Sequence, residues 1–262
     1  VILDHVSGDL GLGADTAAMH DGVTKRPTHC KAKSVSPILV PHAAWSDRHG
    51  HWAARSLAHQ DLPTAKMAEA IAAEWQAQDG VINPQTMPCT KTANAAIDKV
   101  AVQHAEVADM LAAYGDCDLL CYRADSPQEL VDRQAAVWDP MLDWADQMLG
   151  VRLQTRVGIM HVPQDPDVVA DLTRRTHALD PFELAAFHDL VSLSGSLILG
   201  FAAAMSARDM DSLWDMSRLD EIWQAELWGK DDDAEALAAV KKDSFLHAKW
   251  AFDLISGRLL QM

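Results

Sequence analysis

From Thr64 onward, hydrophobic positions recur at helical spacing and are punctuated by clear start and stop residues. Thr64 is placed to cap a helix over Ala65–Gln78, with Met67, Ile71, Trp75 and Gln78 along one side and Asp79-Gly80 after it. A second helix is predicted from Thr92 to Tyr114, with Ile97, Val100, His104, Val107 and Leu111 on one stripe and Gly115 at its end. Asp118–Tyr122 is short, apolar and bounded by turn residues, which predicts a strand. Ser126-Pro127-Gln128-Glu129 reads as a capping box opening a helix that Pro140 bends and Gly150 stops. Val151–Met160 alternates as a second strand. Asp165-Pro166 and Asp180-Pro181-Phe182-Glu183 open two more helices, the second apolar nearly all round and running to Met205. Along it Ser192, Ser196 and Gly200 form a small-residue groove. Asp209 caps a helix running to Trp228, and a last helix spans roughly 231–255.

Residues 1–60 behave differently. Their helical periodicity is poor, Pro37–Pro41 reads at best as an edge strand, and Asp9–Gly13 and Asp21-Gly22 read as turns. Composition follows the same division. The 262 residues carry a net charge of −16 with 49% hydrophobic residues, which excludes wholesale disorder. Residues 1–60 hold six basic and five acidic side chains, leaving 16 basic and 33 acidic for the rest, so the acidity belongs to the second piece. The first piece lacks Glu, Phe and Tyr and holds seven of the twelve histidines. The expected architecture is therefore α+β: a small β-rich N-terminal domain over residues 1–62, then a larger, mainly helical domain over 63–262.

Such acidity argues against nucleic acid as a partner. Four cysteines are too few for a disulfide scaffold, and a reducing compartment is the default. No secretory signal or Arg-rich targeting helix is visible at the start. Leu190–Ala207 is the longest uncharged stretch of the second piece, but its serines and glycines suit a core helix, so stable membrane insertion is not expected.

Candidate chemistry is sparse. His42, His49, His51, His59 and Cys30 are zinc-ligand types at spacings that match no closed zinc pattern. They motivate an alternative reading, a metal-dependent hydrolase, but no metal site is assigned. Cys121 reads as a small buried hydrophobe. His188, beside Asp189, reads as a satisfied core histidine rather than a base. No phosphate-cradling glycine loop, nucleophile elbow or His-Glu-x-x-His is present, so no catalytic residue and no cofactor is assigned and the chain reads as a non-enzyme.

The most distinctive segment is Met216–Gly229. On one helix, Met216, Leu219, Trp223 and Leu227 form an apolar stripe. Arg218, Asp220, Glu221, Gln224 and Trp228 are left to other faces. Two readings stand side by side: a solvated acidic face, or a surface for a basic, partly apolar protein partner, since Trp and Arg are enriched at binding hot spots.

Ordered blocks along the second piece resemble a known family. Leu62-Pro63-Thr64 leads to Ala70–Trp75, then Met87-Pro88-x-Thr90, Asn94, Ile97 and Asp98. Asp118–Arg123 follows, then Gln134, Trp138-Asp139-Pro140, Gly195-Ser196-Leu197, and Ser217–Glu221 through Gln224 to Trp228-Gly229. The chain resembles the assembly chaperones of the F1-ATPase alpha subunit, found in mitochondria and alphaproteobacteria. The resemblance implies a non-enzymatic function: binding unassembled alpha subunit and preventing its aggregation until it joins beta. It implies a cytoplasmic location in a bacterium or the mitochondrial matrix in a eukaryote. It also places partner-binding side chains at Arg218, Asp220, Glu221, Gln224, Glu226 and Trp228. Residues 1–60 depart from the family, lacking its aromatic-basic start and alternating strands. A divergent domain and a shifted reading frame are the two explanations.

Overall fold

In the computed structural model, which describes residues 62–79 and 81–257, helix α1 (Ala65–Gln76) begins as expected. The Thr64 hydroxyl accepts from the Met67 amide, and α1 buries Met67 and Ile71 while Trp75 stays half-buried. Glu74 reaches from α1 to the start of α2 (Pro88–Ala95). Its carboxylate accepts from the Cys89 amide (2.6 Å), the Thr90 amide (2.8 Å) and the Thr90 hydroxyl (2.7 Å). A helix N-terminus has unpaired amides and partial positive charge, and this carboxylate satisfies both.

The predicted helix from Thr92 to Tyr114 is divided. A π-helical turn, Ala96–Val100, follows α2, and α3 spans His104–Ala112. Val100, Val107 and Leu111 still face the core. No Gly or Pro marks the break, so the hydrophobic pattern carried no sign of it.

Asp118–Tyr122 is mostly not strand. The Asp118 carboxylate accepts from the Leu120 amide (3.0 Å), which curls Leu119–Cys121 into a 3-10 turn and leaves only β1 (Tyr122–Arg123) extended. Helix α4 (Gln128–Leu149) follows without the expected capping box and runs on through Pro140 to Gly150, whose φ of 68° closes it. The second predicted strand shrinks to β2 (Arg156–Val157), which pairs parallel to β1 with Tyr122 opposite Arg156.

Asp165 caps α5 (Pro166–His177), and a full Asp180–Glu183 capping box opens α6 (Pro181–Ser194), as predicted. The long apolar helix then breaks. Gly195 takes a left-handed φ of 70°, and the Ser196 hydroxyl caps a new helix, α7 (Leu197–Ala204). Ser192, Ser196 and Gly200 therefore do not line one groove: Ser192 is exposed and Ser196 is spent on the cap. Gly200 does permit close approach, since a Cβ there would sit 2.6 Å from a Val191 methyl. Helices α8 (Met210–Ser217), α9 (Leu219–Trp228) and α10 (Asp232–Ile255) complete the described chain.

Helices α6 and α7 form the centre. Leu184, Phe187, Leu190 and Val191 on α6 and every residue of α7 are buried. Helix α10 packs chiefly on α6, and α5 on α3. The Phe187 ring lies 4.9 Å from Phe201 and 6.5 Å from Phe252, tying the three central helices together.

The expected α+β class is corrected. The described residues are mainly helical, and their strands are two pairs of residues inside the helical part. No β-rich domain occurs among the described residues. The one expected at 1–62 lies, except for Leu62, outside them, as do His42, His49, His51, His59 and Cys30. No described helix is long and apolar enough to cross a membrane.

Candidate functional site

The acidic segment is two helices rather than one. The chain bends at Arg218, which has φ −111° and ψ 15° and sits between α8 and α9. Leu219 turns inward and is buried. The stripe expected through Met216, Leu219, Trp223 and Leu227 ends early, because Leu227 is exposed.

Two residues of α4 hold α9 in place. Gln134 is buried, and its side chain bridges two elements: Oε1 accepts from the Ala124 amide (2.8 Å) just after β1, and Nε2 donates to Asp220 (2.8 Å). Arg133 donates to both oxygens of Glu226, one at 2.9 Å, and its guanidinium lies 5.8 Å from the Trp223 ring centroid. That hydrogen-bonded pair holds the Glu226 carboxyl below its ordinary range and raises the Arg133 guanidinium. One turn further along α4, the fully buried Trp138 indole donates to the Met216 carbonyl (2.9 Å) at the end of α8. Arg123, from β1, stacks 5.4 Å over Trp138 and forms an ion pair with Asp139 at 2.8 Å.

The six candidate residues thus divide. Asp220 and Glu226 are engaged with α4. Arg218 pairs with Glu221 (2.9 Å) and lies 5.9 Å over the Trp214 ring. Glu221, Gln224 and Trp228 are all exposed and fall at i, i+3 and i+7, so they share one outward face of α9. Trp228 is 78% exposed, an unusual place for a large aromatic without a partner. Beyond it the first half of α10, residues 232–244, contains no buried residue. It begins with Asp231, Asp232, Asp233 and Glu235, of which Asp231 caps the helix and Glu235 meets Lys230. The result is a firmly mounted, outward-facing acidic ridge with tryptophan at its corner.

Arg133 escaped the sequence reading. It lies 93 residues from Glu226, and only the fold makes them neighbours. Gln134 and Trp138 were visible as isolated blocks, but their role as the seat for α8 and α9 was not. His188 meets Asp189 at 2.9 Å on α6, outside this surface. Among the described residues no group of His, Cys, Asp and Glu is placed to hold a metal ion. Cys89 and Cys121 are buried, with burial pushing both thiols up, so neither offers a ready thiolate.

A family model described as ATP12 chaperone protein matches residues 54–146. Among solved structures, Atp12 from Paracoccus denitrificans is 48% identical with a TM-score of 0.72, over 74% of this chain and 83% of that one. A point mutant of the Paracoccus protein matches with the same figures. The Atu1473 protein from Agrobacterium tumefaciens is 37% identical with a TM-score of 0.69, over 72% of this chain and 71% of its own.

Proposed function

The chain belongs to the ATP12 chaperone family, whose work is ATP synthase assembly, and we propose that its own client is the unassembled alpha subunit of the F1 sector. The observation that carries this reading is the ridge of α9: Glu221, Gln224 and Trp228 face outward while Asp220 and Glu226 fix α9 to α4 and the buried Trp138 of α4 holds the end of α8 before it. An unassembled subunit exposes a face that it will later bury against beta, and an exposed apolar patch of that kind aggregates. A preorganised ridge with one large aromatic and a surplus of carboxylates suits a partly apolar, basic face. Its rigidity limits the entropy lost on binding.

Asp220 is a poor position for testing this, because its loss leaves the buried Gln134 amide without an acceptor. The informative variant joins Glu221→Lys with Trp228→Ala, both on the exposed face. Capture of purified alpha subunit should weaken by roughly 2 kcal/mol or more, about 30-fold, as for a hot-spot aromatic and a charge reversal. Thermal unfolding should move by no more than about 1 kcal/mol, the most that loss of the Arg218–Glu221 pair costs. Undiminished capture by this variant would remove α9 from the interface.

A further inference from the structure

Between β2 and α5 the chain forms a loop whose tip is apolar and in water. Val157, Ile159, Met160 and Val162 are 71%, 70%, 78% and 46% exposed. A slack loop would fold such side chains against the body. This one is fastened so that they stand out. Arg156 donates from Nε to the Val162 carbonyl (3.0 Å) and from Nη2 to the Pro163 carbonyl (2.6 Å), clamping one side of the loop to the other. The Gly158 amide donates to the Arg123 carbonyl (2.9 Å), with the glycine at a φ of 82°. At the base, buried Gln164 exchanges two hydrogen bonds with the Gln154 backbone, at 2.7 and 2.9 Å, and its own amide donates to Asp116 (2.7 Å). His161 bridges Tyr122 and Asp116. Polar contacts thus hold an apolar tip in solvent, where it returns no folding free energy.

We infer that the loop 157–162 is a second contact for the client, its apolar tip entering an uncharged, apolar recess on the alpha subunit beside the face taken by α9. This rests on the alpha-subunit reading above. Two observations choose the occupant. The loop is continuous with the ridge through a short hydrogen-bonded path: Gly158 to Arg123, then Ala124 to Gln134 to Asp220. Charge supplies the other. Residues 150–164 contain Arg152, Arg156 and His161 and no acid, in a chain of net charge −16. Arg156 is spent on carbonyls and Arg152 on Asp143, so the tip itself presents no free charge and fits an uncharged recess. The overall negative charge opposes approach to an anionic bilayer.

The test compares three proteins for capture of purified alpha subunit: wild type, Ile159→Ser/Met160→Ser, and Arg156→Gln. The double variant should bind about 10- to 100-fold more weakly, the equivalent of two apolar side chains each about half buried in the complex. Its melting temperature should not change, since both side chains are exposed. Arg156→Gln keeps the apolar side chains but unfastens them and should weaken capture by a smaller factor. Wild-type-like capture by both variants overturns the inference while leaving the alpha-subunit reading intact. If wild type itself captures no alpha subunit, that reading fails and the inference falls with it. Two other results also overturn it, given unchanged capture: loss in the double variant of sedimentation with phosphatidylserine vesicles, or conversion of a wild-type dimer to monomer.

Discussion

Replacing Asp118 with alanine should destabilise the protein by roughly 2–5 kcal/mol, measured by denaturant unfolding. Asp118 is fully buried and joins two segments 80 residues apart. One carboxylate oxygen accepts from the Leu120 amide and the other from the Ile198 amide, each at 3.0 Å, so a single side chain caps both the 3-10 turn and α7. Alanine leaves two buried amides without acceptors, at about 1–3 kcal/mol each. The effect carries a pH signature. Burial raises the Asp118 carboxyl to about 6 from its ordinary 3.8, against the lowering effect of the Ile198 amide, the Ser196 hydroxyl and the Leu120 and Leu197 amides. Between those two values the folded state binds the proton more tightly than the unfolded state. The Asp118 contribution is therefore greatest below about pH 4 and falls as pH rises through 6. The stability gap between wild type and Asp118→Ala should narrow by roughly 1–1.5 kcal/mol from about pH 5 to about pH 7.5. A gap that widens over that range would mean that burial does not govern this carboxyl.

Trp138→Ala should cost about 3–5 kcal/mol, the range for removing a large aromatic from a core. The indole is 1% exposed, supports the guanidinium of Arg123 on one face, and donates to the Met216 carbonyl where α8 gives way to α9. Its loss opens a cavity and unseats the ridge. Trp138→Phe keeps most of the volume and loses the hydrogen bond, so it should cost about 1–2 kcal/mol. Equal losses in the two variants would assign the whole effect to the hydrogen bond and none to packing. Because the ridge is seated on this residue, client capture should decline in the same order as stability.

Local grammar was legible in the sequence. Thr64, Asp165, Asp180, Asp209 and Asp231 all cap the helices they were expected to open, because a cap is a contact over two or three residues. Breaks inside apolar runs were not. Helix α6 is largely apolar and α7 is buried throughout, so hydrophobicity continues across Gly195 while the helix breaks there. The expected strands failed for a related reason. Asp118 bends its neighbours by binding their amides, and alternation of side chains does not reveal a side chain that competes with the sheet. The acidic segment was found, but its division was not. That Asp220 and Glu226 are tied down while Glu221, Gln224 and Trp228 face outward depends on Arg133 and Gln134, far away in the chain. The blocks behind the family resemblance prove largely to be joinery: Glu74 with Thr90, Asp118 with Ile198, Gln134 with Asp220.

The most direct test of the central claim is light scattering by purified F1 alpha subunit, released from denaturant with and without an equimolar amount of this protein. Suppressed scattering, with alpha subunit recovered in a soluble complex and transferable to beta, is the predicted result. Alpha subunit that aggregates equally in both samples would contradict the account.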